Sequence, residues 1–346
     1  MELNENAGLD TSQVEDMRGK RTGGGGLGGM FPGLGGGGAQ GGSSGGGLGG
    51  LGGILGKLGG KGGGGLIGLL LLGLVACLCF GGGKLGGFGD FGNLGGLGST
   101  GTNNSDTINN TDLQQQCAVS NPDRFNNEAC RNLLYINSIQ AYWQNALPQD
   151  FGVPYQTATT RYFSGQVTTA CGPATAGVGP FYCPGDNHVY IDLTFYQELA
   201  NRFGASGQFA QAYVLAHEYG HHIQTLLGIE SAMRRAQQRD PGNANQYSVL
   251  LELQADCFAG VWANQASRTS DSGGQPLFKS LTTQDIQEAL TAAAAVGDDS
   301  IQKKSGVAVN EAAFTHGSAQ QRQQWTYQGY TTGDPRQCNT FGNSLS

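Results

Sequence analysis

His217-Glu218-Tyr219-Gly220-His221-His222-Ile223-Gln224-Thr225-Leu226 carries the most specific pattern of the chain, His-Glu-x-x-His inside a helix-forming, apolar-periodic run. Residues four apart share one face of an α-helix, so the imidazoles of His217 and His221 can close on a single metal ion. Glu218 is offset by about 100°, near enough to reach a water on that metal without ligating it. Two neutral nitrogens suit Zn²⁺, and the adjacent carboxylate suits a general base. His222 points in a diverging direction and reads as a supporting or surface residue rather than a ligand.

Catalytic zinc needs a third protein donor and an open position. The run Val249-Leu250-Leu251-Glu252-Leu253-Gln254-Ala255-Asp256-Cys257-Phe258 offers Glu252 and Asp256, again four apart. Both acids would be costly on a face among leucines unless paired or bound to metal. Glu252 is the expected third ligand. Asp256 is expected to accept the Nδ1–H of a ligand histidine and fix its tautomer, with pairing to an arginine as the alternative. Asp240-Pro241-Gly242 between the two runs lets the chain reverse. In Phe314-Thr315-His316-Gly317-Ser318-Ala319-Gln320-Gln321-Arg322, Ser318 and Gln321 read as a capping box opening a helix. His316 just before it and Arg322 in its first turn are candidates to stabilise an oxyanion, against a plainer role in capping that helix end.

Together, His217-Glu218-x-x-His221, Glu252-x-x-x-Asp256 and the pair His316 and Arg322 resemble the thermolysin-like gluzincin plan. The last two parts are also similar to membrane-tethered peptidases of the HtpX type. More closely, residues from about 113 to 342 resemble the bacterial neutral zinc metallopeptidase family. Ala170-Cys171-Gly172-Pro173, Gly179-Pro180-Phe181-Tyr182-Cys183-Pro184, Val189-Tyr190-Ile191-Asp192 and Gly297-Asp298-Asp299 carry the likeness beside the motifs above. Val14-Glu15-Asp16-Met17-Arg18-Gly19 is similar to a short N-terminal motif of such proteins. The resemblance implies a zincin-like domain and zinc hydrolysis of peptide bonds, and says little about substrate. The long glycine-rich segment and the pair Cys117 and Cys130 depart from what the family leads one to expect.

Composition divides the chain. Of 62 glycines most fall in the first hundred residues, a composition that cannot repay its ordering entropy. Residues 1–60 are expected to be a disordered arm, 61–84 a transmembrane helix, 85–113 a Gly/Asn-rich linker and 114–346 the peptidase domain. No charge occurs between Lys61 and Lys84, and the apolar centre is Leu66 to Phe80. As a helix that centre reaches only ~22 Å against the ~30 Å hydrocarbon core, and the flanking glycines extend it to ~33 Å. Lys57 and Lys61 on one side and Lys84 on the other favour a cytoplasmic N-terminus. Six cysteines lie in the globular part, none in a Cys-x-x-Cys knuckle, which fits disulfides in an oxidising compartment. Cys117 with Cys130 and Cys171 with Cys183 are plausible local pairs, leaving Cys257 with Cys338, although other connectivities are open. These signals place a single-pass protein in the cytoplasmic membrane with its domain extracytoplasmic, or periplasmic.

The expected fold class is α+β, predominantly helical with a small sheet. Helices are expected from Asn126 to Leu147, ended by Pro148, from Gln208 to Leu227, from Gln246 to Ala266, and from Thr282 through Ala295. Thr157 to Phe163 and His188 to Leu193 read as strands, the second being the candidate edge for an extended substrate. His188 reads as a strand residue rather than a metal donor, and Asp298-Asp299 as a helix-boundary cap rather than a calcium site. The expected activity is membrane-anchored zinc peptidase chemistry on protein or peptide substrates. The alternatives are a scaffold with a structural zinc site and a binding module working through the glycine-rich arm. A formal net charge of −7 without a basic patch argues against nucleic acid.

Overall fold

The computed structural model describes residues 1–19 and 110–345. The expected membrane helix at 61–84, and nearly all of the arm and linker around it, lie outside the described residues. Among the described residues no helix is long and apolar enough to cross a membrane.

Strands β1 (Glu2–Leu3) and β2 (Val14–Asp16) come first, and α1 (Thr111–Gln116) and α2 (Glu128–Phe151) begin the main body. Next are β3 (Thr159–Tyr162), β4 (Gln166–Thr169), β5 (Gly172–Thr175), β6 (Phe181–Cys183) and β7 (His188–Ile191). Then follow α3 (Phe195–Asn201), α4 (Gln208–Leu226), α5 (Ile229–Arg239), α6 (Ala244–Gln265), β8 (Phe278–Ser280), α7 (Thr283–Ala295), α8 (Asp298–Lys304) and α9 (Ala319–Thr332). The described body is predominantly helical with small sheets, as expected.

Three expectations need correction. The first nineteen residues are not part of a disordered arm. β2 pairs in parallel with β3, and β1 pairs antiparallel with β8. The buried Arg124 guanidinium donates to the carbonyls of Asn4 at 3.2 Å, Ala7 at 2.7 Å and Cys117 at 3.0 Å. The glycine runs begin only after Arg21, so treating 1–60 as one composition hid an ordinary segment that buries Val14 and Ala7. The domain body likewise begins at Thr111, slightly ahead of the expected boundary.

Pro148 does not end α2, which runs on to Phe151 and closes at Gly152 in the left-handed conformation, φ 69°. A proline in the last turn removes one intrahelical bond while its φ stays helical. Buried Trp143, Ala146 and Leu147 hold that turn against the core. The third correction concerns the sheet, whose order is β2-β3-β7-β6. β7 lies inside it, parallel to β3 and antiparallel to β6, so the edges are β2 and β6.

α4 is buried around most of its circumference, through Phe209, Leu215, Ala216, Tyr219 and Ile223. It packs on α2, α6 and α7. A Cβ on Gly220 would sit 3.0 Å from both the Cα and the carbonyl oxygen of Ala255. Glycine within the motif therefore lets α4 approach α6 closely enough for their side chains to meet. α6 crosses α9 more tightly still, since a Cβ on Gly260 would lie 2.0 Å from the Thr326 oxygen. Disulfides join Cys117 to Cys130, Cys171 to Cys183 and Cys257 to Cys338. The last ties α6 to the C-terminal turn.

Candidate metal centre

α4 and α6 bring His217, His221 and Glu252 together in the interior, all three buried. His217 Nε2 lies 3.1 Å from Glu252 Oε2, and His221 Nε2 lies 3.4 Å from Glu252 Oε1. One potential ligand atom from each residue falls within 4.8 Å of the others.

The outer ring nitrogens explain why the inner ones face each other. His217 Nδ1 is 2.9 Å from Asp256 Oδ1, the carboxylate partner expected of it. His221 Nδ1 is 2.9 Å from Gln224 Oε1. Gln224 Nε2 donates to the Leu251 carbonyl at 2.7 Å and to Gln254 Oε1 at 3.1 Å. The amide orientation is thereby fixed, and His221 must donate from Nδ1. Its Nε2 then carries a lone pair, buried and without a hydrogen-bond partner, facing the Glu252 carboxylate. A buried nitrogen lone pair facing a carboxylate is a natural place for a cation. The donor set of two imidazoles and one carboxylate fits zinc.

The electrostatics agree. Burial opposes charge on Glu252, but His221 and His217 outweigh it and hold the carboxyl well below the usual range. Burial also works against a charged His217, yet Asp256 and Glu252 raise it to about 10. Such an acidic surrounding favours positive charge at this point. His221 is shifted down, chiefly by burial. Burial pushes the Glu218 carboxyl up to about 8, with Glu252 adding to the rise. Glu218 Oε2 is buried and has no hydrogen-bond partner.

Asp256 is the hub behind His217. Besides that ring it takes Arg322 Nε at 2.8 Å and Arg322 Nη2 at 2.9 Å, and the Tyr213 hydroxyl donates to it. Asp256 thus pairs with the histidine and the arginine at once. Burial raises its pKa, but Arg322 and His217 more than compensate, and it stays ionised. His316 reaches the same cavity as His217, Glu218, Glu252 and Arg322. Asp298 Oδ2 accepts the backbone N–H groups of Thr315 at 2.7 Å, His316 at 2.7 Å and Gly317 at 3.1 Å, while Oδ1 is 3.1 Å from His316 Nδ1. Burial opposes charge on His316, and Asp298 overcomes it to raise the pKa. The Ser318–Gln321 capping box is present and starts α9 just beyond this turn.

A model of the family described as "Putative neutral zinc metallopeptidase" matches residues 6–341. The chain belongs to that family. It is 50% identical over 232 residues to the uncharacterized protein Rv2575 of Mycobacterium tuberculosis, a match covering 66% of this chain and 75% of that protein. It is 46% identical over 198 residues to the uncharacterized protein YpfJ of Escherichia coli, covering 57% of this chain and 66% of that one. No solved structure matches.

In this family member the two remaining histidines lie apart from the metal group. His222 is buried, with Nε2 2.6 Å from the Gln156 carbonyl and Nδ1 3.2 Å from the Tyr182 hydroxyl, and burial lowers it to about 4. His188 stays on β7, where Nδ1 contacts the Asp186 carbonyl at 2.6 Å. Sequence reasoning missed Gln224, Tyr213 and the hold of Asp298 on His316. Gln224 was within reach, because it stands three residues after His221 on the same helix face. Tyr213 carries no such signal, since an aromatic on a buried helix reads as core.

Proposed function

We propose that the chain is a zinc-dependent endopeptidase that hydrolyses peptide bonds in proteins or peptides. The observation that carries this reading is the pair of orphaned buried atoms, His221 Nε2 and Glu218 Oε2, at one site. The first is a lone pair that suits a cation, and the second is an acceptor that suits a proton donor. His217, His221 and Glu252 would hold the ion, which when bound supplies Lewis acidity and lowers the pKa of water towards ~7.

Glu218 then has a defined task. Its carboxylate takes a proton from the attacking water and delivers it to the leaving amine. His316, whose pKa Asp298 raises against burial, stands beside Glu218 in the cavity and supplies a donor to the oxygen that gains negative charge. Arg322 is committed to Asp256 by two bonds. It therefore acts as a positioning residue that keeps the Asp256–His217 contact rigid, and adds positive charge near the reacting centre. Three gathered donors among the described residues, rather than four, favour this reading over a structural zinc site.

The cavity wall gives the expected substrate class. Val178, Pro180, Phe195, Phe203, Val214 and Val296 line it beside Glu218, and they suit a bulky apolar side chain next to the scissile bond. β6, the sheet edge that follows the wall residues Val178 and Pro180, is the strand on which extended substrate would pair. The test is Glu218→Gln, with metal analysis and mass-spectrometric profiling of a mixed peptide library. Zinc content should persist while turnover falls on the order of 10²–10⁴. Full turnover by the variant would overturn the assignment. Glu252→Gln should instead lose zinc.

A further inference from the structure

The N-terminal motif Val14-Glu15-Asp16-Met17-Arg18-Gly19 has no part in the chemistry above, and its placement constrains how the chain meets a membrane. Val14, Glu15 and Asp16 pair in parallel register with Thr160, Arg161 and Tyr162. Arg161 Nε donates to Glu15 Oε2 at 2.6 Å. Asp10 and Asn137 exchange two bonds, Asp10 N to Asn137 Oδ1 at 2.8 Å and Asn137 Nδ2 to the Asp10 carbonyl at 3.1 Å. Arg124 is buried with two of its acceptors, the Asn4 and Ala7 carbonyls, supplied by this segment. Remove the segment and that guanidinium is left without them in the interior.

The two flanks of the glycine-rich stretch also meet. Asn110 Oδ1 accepts from the backbone N–H of Asp16 at 3.1 Å, and Asn110 Nδ2 donates to the Thr11 carbonyl at 3.2 Å. Whatever course residues 20–109 take, they leave and return at one point on the domain.

From this we infer that residues 1–19 and 110–345 occupy the same side of any membrane. One crossing would put β2 and β3 on opposite faces of a bilayer and dissolve the sheet. An even number of crossings keeps them together but needs about 20 apolar residues for each pass. The single-pass arrangement with opposed termini gives way to one in which both flanks share a compartment, the oxidising one if the three disulfides form.

The experiment uses the full chain in its host membrane fraction, with one short epitope tag after Arg21 and another after Ser346. Protease is applied to spheroplasts and, separately, to lysed cells. Both tags should be cut, or both protected, in the intact spheroplasts. Opposite fates for the two tags overturn the inference. A second arm reads the pairing itself through Glu15→Cys with Arg161→Cys, with the membrane fraction treated with copper phenanthroline as the oxidant. A disulfide-linked 15–161 peptide in the mass spectrum supports the same-side fold. Its absence from protein that retains zinc shows that the strands do not pair in the cell, and overturns it too. Neither arm depends on peptidase activity, so failure here is distinguishable from failure of the proposed chemistry.

Discussion

His221 shows how much of a site a single residue decides. Its Nδ1 is committed to Gln224, which leaves the Nε2 lone pair turned toward Glu252. Asp298 plays the equivalent part for His316, one carboxylate accepting three successive backbone N–H groups and facing the ring nitrogen. Asp298→Asn keeps the size but removes the charge that raises the histidine. Turnover should fall about 10–100-fold with KM little changed and zinc content intact, the size usual for groups that orient another catalytic side chain. The pH profile of kcat should lose activity at a lower alkaline pH than wild type, because His316 then gives up its proton sooner. A variant with wild-type kcat and profile would show that Asp298 only braces the loop. His217 and His221 were legible beforehand because helical periodicity puts residues four apart on one face, Glu218 because it stands beside the first histidine, and Glu252 because it shares an apolar helix face with Asp256. Asp298 was visible as a helix-start acid but not as the partner of His316, since only tertiary packing brings α8 to the turn before α9.

At the level of elements, sequence periodicity located the long helices well and the order of strands poorly. α4, α6 and α7 begin and end within about two residues of expectation, with the Thr282–Asp285 capping box in place. Strand order is a different matter, because β7 reads the same whether it sits at an edge or inside, and only its pairing with both β3 and β6 decides. Pro148 likewise misled because its cost in a final turn is small beside the apolar burial next to it. The seam of β2, β3 and β7 carries its own pH signature. Glu15 sits with Arg161 and 3.6 Å from His188 Nε2, while His188 Nδ1 is also 3.6 Å from Asp186 Oδ1. The contact with Glu15 raises His188 above 6.5, against partial burial. The contact with His188 lowers Glu15 below 4.5, with burial opposing and Arg161 assisting. The His188 contribution is complete below its unfolded pKa and fades as pH climbs through the raised folded value. The Glu15 contribution is complete above its unfolded pKa and fades as pH drops through the lowered folded value. Glu15→Gln should therefore cost most between those unfolded values, roughly pH 4.5–6.5, on the order of 1 kcal/mol for a half-exposed pair. Thermal melts of both proteins across pH 3–9, an illustrative range of about six pH units, check it. A gap that stays constant over the whole range would show that the ion pair contributes nothing specific.

Across the whole molecule, the helix that carries Glu252, α6, is held by α4 on one side and by the C-terminal turn on the other. α4 packs on it through the Gly220–Ala255 approach, and the C-terminal turn is strapped to it by Cys257–Cys338. Two hydrogen bonds reinforce the strap, Gln254 Nε2 to the Cys338 carbonyl at 2.9 Å and Thr340 Oγ1 to the Leu250 carbonyl at 2.6 Å. The disulfide closes a sequence separation of 81 residues, and cross-links of this kind contribute about 2–4 kcal/mol, chiefly by restricting the unfolded chain. Cys257→Ser with Cys338→Ser should lower Tm by roughly 5–15 °C for a body of this size. Zinc acts on the other side of the equilibrium, since it binds the folded state. At about 100 times its Kd it should add about 2.7 kcal/mol to wild type and double variant alike. Calorimetry with and without zinc separates the two effects. Equal zinc-induced shifts mean that the strap stabilises the fold and leaves the metal donors in register. A variant that melts lower and no longer responds to zinc would show instead that the strap itself positions Glu252, one turn before Asp256 and the disulfide.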